Sequence, residues 1–424
     1  MKRILLLLIF CCFSLLGFGQ TVTKATLPEC YDWAKADFPM MKQQGVMEKL
    51  ANLKLEQIDL QSRPTITWNS QVTGQSEAIS LALPIPNFEP VNLPLVRGQT
   101  TLDANYTIYD GGMLEAQKAI QSADLKVQQQ QIEVEFEKVK PQITKAFLGI
   151  GLLRQRVLIL EQGIKTIENK QKQLEVGIAN GVVLPSALKR LQVEILKLEN
   201  SIQETKGDIH TLLKVLEAWT GQEFDENVEL ILPEATAEIL LKKGSFPEYE
   251  LFELQKQQIL VKENLLEAKG KPKVGAFVQA GVGYPNPLNF FDNSISPFAV
   301  GGVKFQWNFF DWGMTDKERQ MLSVSTQTID IQREAFEKGL SIADESYKTE
   351  IEKIENILPK DRAIIALYDE IIKEMDLQLE NGVITSTDYV NQLNEQLQAK
   401  LQLKLHEVQI EQKRVEYLQH KGLL

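Results

Sequence analysis

The sequence predicts a mainly α-helical protein in which one unit, a β-strand hairpin followed by a long helical hairpin, occurs twice in tandem. Three observations predict this fold class. Short motifs recur in order at a nearly fixed offset, apolar residues repeat about every 3.5 positions over long segments, and four segments alternate apolar and polar residues. With 424 residues the chain is long enough for two to three ordinary domains.

The internal repeat is the strongest of these signals. Four motifs recur: Tyr109–Met113 as Phe310–Met314, Asn180–Val182 as Asn381–Val383, Phe38-Pro39 as Phe246-Pro247, and Arg63-Pro64 as Lys271-Pro272. The first two pairs are offset by 201 positions and the last two by 208, which indicates a longer loop between Pro64 and Tyr109 in the first copy. Four ordered matches with one change of offset predict a duplication.

The repeat divides the chain into predicted regions. The signal peptide is residues 1–20, the first repeat 21–220, a linker 221–245 and the second repeat 246–424. In the first repeat we expect an N-terminal helix, a β-hairpin at about 65–109 and a helical hairpin at about 112–220; in the second, a helix, a β-hairpin at about 273–310 and a helical hairpin at about 313–418.

The first 20 residues indicate export. Lys2 and Arg3 precede a run of apolar and small residues from Ile4 to Phe18, which is typical of a cleaved secretory signal peptide and too short for a transmembrane helix. No later segment has 18 consecutive apolar residues. A mature protein without membrane-spanning helices could cross a membrane only as a β-barrel.

The predicted strands alternate with period two. Ile66, Trp68 and Val72 share one face of the first strand, and threonine, asparagine and glutamine residues occupy the other. The other strands place these residues on their apolar faces: Leu102, Ala104, Tyr106 and Ile108; Val274, Ala276, Val278, Ala280 and Val282; Val303, Phe305, Trp307 and Phe309. The alternation fits a soluble sandwich or a transmembrane barrel, and taken alone it favours the sandwich.

The predicted helices have coiled-coil periodicity. Apolar residues from Phe136 to Ile178 step by three and four, with a polar interruption at Gln171, and the second copy keeps this register from Tyr347 to Leu379 with an interruption at Asp361. A helix from Met113 to Asn180 would be about 100 Å long, and we expect Pro141 to bend it without ending it. Helices of this length form a rod or the wall of a tube.

Glycine-rich turns join these elements. Asp110, Gly111 and Gly112 follow the first hairpin, as Asp311 and Gly313 follow the second. A metal-binding loop is one interpretation, but an aspartate that caps the following helix, with glycine in a tight strand-to-helix turn, is favoured. Asn-Gly at 180–181 and 381–382 likewise predicts the tips of the two helical hairpins.

Composition and motifs argue against an enzyme. The net charge of -11 disfavours a nucleic-acid partner. Three cysteines, two of them in the signal peptide, and three scattered histidines predict neither a disulfide framework nor a metal centre. The sequence has no phosphate-binding glycine loop, nucleophile elbow or Ser/His/Asp set. We therefore predict no catalytic residue, cofactor or metal.

The tandem arrangement resembles the TolC-type outer membrane efflux proteins. The resemblance is carried by Phe305–Gly313 at a strand-to-helix junction, by Leu27–Cys30 with Phe38-Pro39, and by Glu380–Asp388 at a hairpin tip, and it covers residues 25 to 418. It implies a homotrimer in which each chain gives four strands to one 12-stranded β-barrel in the outer membrane, continued by an α-helical tunnel in the periplasm. The strand ambiguity then resolves in favour of a membrane β-barrel.

The resemblance also implies partners and site residues. Hairpin tips of the family meet a periplasmic adaptor protein, which links the channel to an inner-membrane transporter. The corresponding positions here are Gly181, Val182, Val183, Leu184, Pro185 and Ser186 in the first copy and Gly382, Val383, Ile384, Thr385 and Ser386 in the second. Family members carry two acidic rings at the periplasmic mouth; Asp388 fits the first and Asn391 replaces the second. An aspartate favoured in the first turn by the helix dipole is an equal alternative for Asp388.

The resulting functional prediction is a passive exit duct of a tripartite efflux or type I secretion system, embedded in outer membrane lipid. The alternative is an exported structural or adhesive coiled-coil protein with a small soluble β domain. The matched positions of two strand hairpins disfavour that alternative, because a rod does not need them.

Overall fold

A computed structural model describes residues 21–81, 91–179, 184–233, 244–289 and 291–424. The predicted signal peptide at 1–20, the first-copy tip residues Gly181–Val183 and part of the predicted linker at 221–245 lie outside the described residues. The strands are β1 (Val22–Thr26), β2 (Thr65–Gly74), β3 (Ser80–Leu81), β4 (Val91–Asn92), β5 (Val96–Tyr109), β6 (Phe224–Ile231), β7 (Lys273–Tyr284) and β8 (Ser296–Gln306). The helices are α1 (Leu27–Asp37), α2 (Pro39–Leu60), α3 (Met113–Glu137), α4 (Lys140–Ala179), α5 (Ser186–Thr220), α6 (Pro247–Gly270), α7 (Met314–Glu380) and α8 (Ser386–His420).

The chain forms two compact units. The helical unit comprises Met1–Gln43, Ile132–Tyr249 and Glu334–Leu424, and the sheet unit comprises Gln44–Gln131 and Glu250–Arg333. Each unit takes segments from both sequence repeats, so the compact units cut across the repeats.

In the sheet unit, both predicted hairpins join one antiparallel sheet with strand order β2-β5-β7-β8. The pairing of β5 with β7 joins the two repeats, and it places Leu102 opposite Ala280 and Asp103 opposite Gln279. Side chains that lie directly opposite one another are on the same face of a sheet. In this register the apolar residues of all four strands lie mainly on one face, and the polar residues lie mainly on the other.

The helical unit has two apolar clusters. One packs α1 against α4, α5 and β6, with Phe147, Leu216 and Val228 almost fully buried. The other packs α4 and α5 against α7 and α8 through Leu174 and Leu191. The heptad-spaced residues of the sequence therefore supply the core of a helix bundle, as coiled-coil packing requires.

A parallel ladder of β1 and β6, absent from the sequence prediction, adds to the first cluster. Strand β6 lies in the region predicted as linker. The Arg154 guanidinium of α4 donates to the carbonyl oxygens of Glu226 and Val228, at 2.8 and 2.5 Å, and so holds β6 against the bundle.

The first long helix ends where the sequence predicted only a bend. Helix α3 ends at Glu137 and α4 begins at Lys140, which leaves Pro141 in the first turn of α4. Proline has no amide hydrogen and its ring clashes with the carbonyl four residues earlier, so the first turn is where a helix tolerates it best. The corresponding helix of the second repeat, α7, runs unbroken for 67 residues with Pro359 inside it.

The last strand ends earlier than the alternation predicted. Strand β8 pairs with β7 only as far as Gln306, so Trp307 and Phe309 lie beyond the ladder instead of within it. None of the helices in the described part of the chain has the length and hydropathy needed to span a bilayer.

Candidate functional site

The sheet exposes its apolar face. Trp68 lies opposite Leu102 and is 75% exposed. Large exposed residues on the same face are Ile66, Val72, Leu102, Tyr106, Val278, Val282, Val303 and Phe305. Soluble monomers rarely leave so large a continuous apolar surface in water. The indole nitrogen of Trp68 donates to Thr100 Oγ1 at 2.8 Å, so its polar atom is satisfied within the sheet.

The opposite face of the sheet is mainly polar. The Asn69 side-chain amide donates to the Asp103 carboxylate, and Gln279 lies opposite Asp103 on the next strand. Neighbouring positions on this face include Thr67, which faces Asp103, and Gln71, which faces Gln99. A sheet with one apolar and one polar face suits a boundary between lipid and water.

Both outer strands of this sheet have an open edge. Among the described residues, β2 pairs only with β5 and β8 pairs only with β7. An open edge presents unpaired backbone N–H and C=O groups, which in lipid would cost several kcal/mol each. These two edges are therefore where a further strand can pair.

Exposed apolar stripes occur on the two helices next to these edges in the chain. Helix α2 precedes β2, and within the sheet unit it exposes Val46, Leu50, Leu53 and Leu60. Helix α7 follows β8 and exposes Met314, Met321, Val324 and Ile331. Their spacings are four, three and seven on α2 and seven, three and seven on α7, which fit the heptad pattern of a coiled-coil seam. We call them the α2 stripe and the α7 stripe.

The predicted strand-to-helix turns have cap geometry. The Asp110 carboxylate accepts hydrogen bonds from the backbone N–H groups of Gly112 and Leu114, at 2.8 and 2.7 Å. In the second repeat, Asp311 accepts from Gly313 and Thr315 at 3.0 and 2.9 Å. Gly111 and Gly112 have φ of 76° and 89°, and Gly313 has φ of 78°. Each aspartate thus satisfies amide groups that the start of a helix leaves unpaired.

The tip of the second helical hairpin is described completely. Gly382 has φ of 70°, and the backbone N–H of Val383 donates to Gln378 O at 2.8 Å, which ends α7 with a left-handed glycine. Val383 is exposed, Ile384 is half-buried and Ser386 begins α8. In the first copy the described tip residues are Leu184, Pro185 and Ser186, and Leu184 is exposed.

Asp388 forms a capping box with Thr385 at the start of α8. Its carboxylate accepts from the backbone N–H and the hydroxyl of Thr385 at 3.0 and 2.6 Å, while the Asp388 N–H donates to Thr385 Oγ1. The side-chain and then the backbone hydrogen bond from Thr385 lower the pKa of Asp388. Asn391 is exposed one turn further along α8. In the single chain Asp388 therefore lies in the first turn of α8 and caps the helix. This position agrees with the alternative interpretation from the sequence, an aspartate favoured by the helix dipole.

Lys170 is a polar residue that the sequence analysis missed. It is only 3% exposed, and its ammonium lies 2.7 Å from an Asp376 carboxylate oxygen, 3.4 Å from Glu380 and 5.3 Å from the ring centre of Tyr389. It connects α4 with α7 and α8 near the hairpin tips. The heptad count placed Gln171 at the interruption, whereas Lys170 takes the buried position between Ile167 and Leu174.

The predicted interruption at Asp361 also has a partner. The Asp361 carboxylate and His406 Nδ1 are 2.5 Å apart across α7 and α8, and His406 Nε2 lies 2.9 Å from the Gln402 amide. Burial of these polar groups is compensated by hydrogen bonds. In the described part of the chain, no three histidine, cysteine, aspartate or glutamate side chains are grouped so that they could hold a metal ion.

One cavity of the helical unit has a volume of about 680 Å³ and lies among α4, β6, α7 and α8. Its charged lining residues pair with each other: Arg414 binds Glu355 at 2.9 Å and Arg362 binds Glu407 at 3.4 Å. Each of these four charged groups therefore has a partner of opposite charge within the cavity lining.

Comparison with known proteins identifies the fold. No family model and no curated protein matches the sequence. Among solved structures, CusC, described in terms of transmembrane channel formation, matches with a TM-score of 0.63 and 10% identity over 95% of this chain and 93% of CusC. The outer membrane protein VceC from Vibrio cholerae matches with 0.61 and 13% over 93% of this chain and 96% of VceC. The open state of the MtrE outer membrane channel of Neisseria gonorrhoeae matches with 0.60 and 11% over 96% and 92%. The TolC-type fold recognised from the sequence is confirmed.

Proposed function

We propose that this chain, which has the fold of solved outer membrane channels, is one subunit of a passive channel in the outer membrane. Three copies would each contribute the strands β2, β5, β7 and β8 to one 12-stranded barrel. The helices would continue the barrel as a tunnel in the periplasm. The observation that carries the proposal is the sheet itself, with an exposed apolar face, a polar face and two open edges.

Closure of the barrel follows from the requirements of lipid. Four strands are too few to close around a lumen, and an open edge inside a bilayer leaves backbone groups without partners. Pairing of β8 with β2 of the next copy would satisfy both edges. Repetition of this contact around an axis would put the apolar face towards lipid and the Asn69–Asp103 face towards a wet lumen. The number of copies, three, comes from the family resemblance.

The exposed stripes support the same neighbour relation. Because α2 leads into β2 and α7 follows β8, a copy that pairs its β2 with a neighbour's β8 also brings an α2 stripe towards an α7 stripe. Both stripes have coiled-coil spacing and both are exposed in the single chain. One neighbour would therefore cover a strand edge and a helix stripe together.

The proposed partners would bind at the tips of the helical hairpins. We place the periplasmic adaptor on the tips 181–186 and 382–386, where Leu184 and Val383 expose apolar side chains. An inner-membrane transporter attached through this adaptor would supply the energy. The channel subunit itself would act without catalysis, by providing a closed path across the outer membrane and periplasm.

The proposal is tested by assembly and conductance of the purified protein. Heat-resistant trimers in the outer membrane fraction and stepwise conductance in planar bilayers are the expected results. Soluble, extended monomers without conductance would refute the channel and favour the structural or adhesive alternative. Adaptor docking is tested separately, by co-purification of the adaptor with wild type and with a Val383→Glu variant.

A further inference from the structure

The charged residues of the four-stranded sheet all lie on its polar face. Four occur in β2, β5, β7 and β8: Arg97, Asp103, Lys273 and Lys304. Residues two apart on a strand share a face, which places Arg97 with Asp103. Asp103 pairs with Gln279, and Lys273 is on the face of Gln279. Lys304 pairs with Gly275, which is on the same face again. This face therefore has more positive than negative groups, although the whole chain has a net charge of -11.

Three basic residues line one cavity at the end of this face where β2 begins. Arg63, two residues before β2, lines the cavity together with Lys273, the first residue of β7, and Lys304 of β8. The cavity has a volume of about 320 Å³. Among the described residues no acidic side chain lines it, and the lining includes uncharged polar groups of Gln61, Thr65, Asn105, Thr107 and Gln306. We call Arg63, Lys273 and Lys304 the basic cluster.

No carboxylate neutralises the basic cluster. Within the part of the chain that the structure describes, none of its three side chains forms an ion pair or a hydrogen bond. By contrast, Lys269, four residues before Lys273, binds Glu318 at 2.9 Å. The carboxylate on the polar face, Asp103, faces Gln279, which is four residues along β7 from Gly275, or about 13 Å. The positive charge of the cluster therefore has no counter-charge beside it on the sheet.

The strand register keeps two of these charges close together. Lys304 lies directly opposite Gly275, and Lys273 is two residues from Gly275 on the same strand. Such diagonal neighbours are about 7–8 Å apart. Because Gly275 has no side chain, the space beside the two lysines stays open. A cavity lined by one sign of charge concentrates ions of the opposite sign, so the cluster suits an anion that comes from outside the chain.

Phosphate and carboxylate groups fit these side chains. A guanidinium binds either group through two parallel hydrogen bonds, and an ammonium acts as a compact positive charge. Rings of arginine and lysine make pores selective for anions and phosphate. In the proposed channel the polar face lines the lumen, and every copy would bring one basic cluster to the same level.

Resting on the proposed function, we infer that the basic cluster binds phosphate or carboxylate groups of solutes inside the barrel, and that the cargo of the channel includes anionic solutes. Lipid headgroups carry phosphate as well, but the cluster lies on the polar face, whereas Trp68 and the other residues assigned to lipid lie on the opposite face. Asp388, the candidate for cation selectivity, stands at a hairpin tip, so the two groups would act on a passing ion separately.

Block of single channels in planar bilayers tests the inference. Inorganic pyrophosphate should reduce the conductance of wild type in a concentration-dependent way. Lys273→Gln and Lys304→Gln should each raise the half-blocking concentration about tenfold, because each removes one charged hydrogen-bond donor. Lys304→Arg keeps the charge and should keep the block. The matched control is Lys271→Gln, which removes the same charge two residues before Lys273 but outside the cavity lining, and it should be blocked like wild type.

The outcomes separate the inference from the proposed function. Conducting channels that pyrophosphate does not block, or blocks equally in the cluster variants and the control, would overturn the inference and leave the channel standing. Absence of conductance in wild type would refute the proposed function, and the passage of anions with it. A phospholipid that co-purifies with wild type and is lost from the two glutamine variants of the cluster would assign the cluster to a lipid headgroup, which also overturns the inference.

A chemical label covers the case in which the variants fail to assemble. Pyridoxal phosphate carries a phosphate group, and its aldehyde condenses with a lysine amine with loss of water; borohydride then reduces the imine. On the wild-type protein, peptide mass spectrometry should find Lys273 and Lys304 labelled in preference to Lys271, and pyrophosphate should protect them. Labelling that is equal at the three lysines, or that pyrophosphate does not reduce, would contradict anion binding at the cluster.

Discussion

Substitution of Trp68 by lysine should impair assembly in the outer membrane, because it places a charge on the surface assigned to lipid. Strand β2 has 10 residues, which corresponds to about 33 Å of strand or about 25 Å of membrane depth at a tilt of about 40°. Trp68 is the fourth residue and so lies about 8 Å inside the apolar band.

The cost follows from this depth. A lysine on the lipid face costs about 2–4 kcal/mol at the midplane and about 0–1 kcal/mol near the interface, so we expect about 2 kcal/mol at Trp68. That corresponds to about a 30-fold change in equilibrium for one chain. Since symmetry repeats every substitution, a trimer would lose about 6 kcal/mol. Trp307, which the alternation also placed on the apolar face, is less suitable because it lies beyond β8.

The matched control is Asn69→Lys. It changes the next residue of the same strand, but on the polar face and beside the Asp103 carboxylate, where a lysine stays in water and gains a partner. The assay is the fraction of heat-resistant trimers extracted from outer membranes expressing each variant at equal level. Trp68→Lys should reduce this fraction strongly and Asn69→Lys should not. If both variants assemble alike, the assignment of the two faces is wrong.

Three further predictions concern the hairpin tips. Val383→Glu should abolish efflux while trimers still form, because it adds a charge to an exposed apolar tip residue and touches no core contact; normal efflux would refute the docking site. Asp388→Asn keeps an acceptor for Thr385 and should preserve α8 at neutral pH while it weakens cation selectivity in planar bilayers, and unchanged reversal potentials would leave Asp388 as a cap alone. Hydrogen bonds lower the pKa of Asp388, so in wild type its contribution to helix capping is fully present above the ordinary pKa of about 4. This contribution is lost as the pH falls through the lowered pKa. The Asn variant, which does not titrate, should not show this loss of stability at low pH. Lys170→Met should lower the free energy of unfolding by about 1–2 kcal/mol. This is less than the loss of about 3–5 kcal/mol expected for a fully buried pair, because Asp376 and Glu380 are 39% and 44% exposed. Thermal unfolding followed by circular dichroism measures the change, and a double variant with Asp376→Asn should recover part of the lost stability.

The two repeats share a sequence pattern but differ in structure at two places. The first long helix stops before Pro141, whereas the second continues through Pro359. At the strand-to-helix turn the first repeat has Gly111, enclosed by the segment around Ala268, and the second has the exposed Trp312. The two prolines do not occupy corresponding positions of the repeats, whereas Gly111 and Trp312 do, at the repeat offset of 201.

Several features could be predicted from local pattern because their causes are local. The heptad spacing of the helices predicted the buried residues, including Ile143, Ile150 and Leu174, since a helix puts every third or fourth residue on one face. Aspartate and glycine at the strand-to-helix turns predicted the caps at Asp110 and Asp311, since a cap involves only the next four residues. The mainly helical, duplicated fold followed from these local signals.

Other features depended on segments far apart in the chain. Strands β1 and β6 are about 200 residues apart, and a five-residue strand gives no signal of its partner. The choice of Lys170 over Gln171 for the buried position depended on the carboxylates that α7 brings to α4. Pairing at such distances is set by packing, which local periodicity does not contain.

By itself, the sequence determined which residues share a face: Ile66 with Trp68 on one side of β2, and Asn69 with Gln71 on the other, because alternation is a property of the extended backbone. It left open whether the apolar side meets another sheet or lipid, since both environments select the same side chains. Only the tertiary structure showed that no second sheet of the described chain covers the apolar side. It joined both hairpins into a single sheet, with no second layer over the exposed Trp68 and with open edges at β2 and β8 among the described residues.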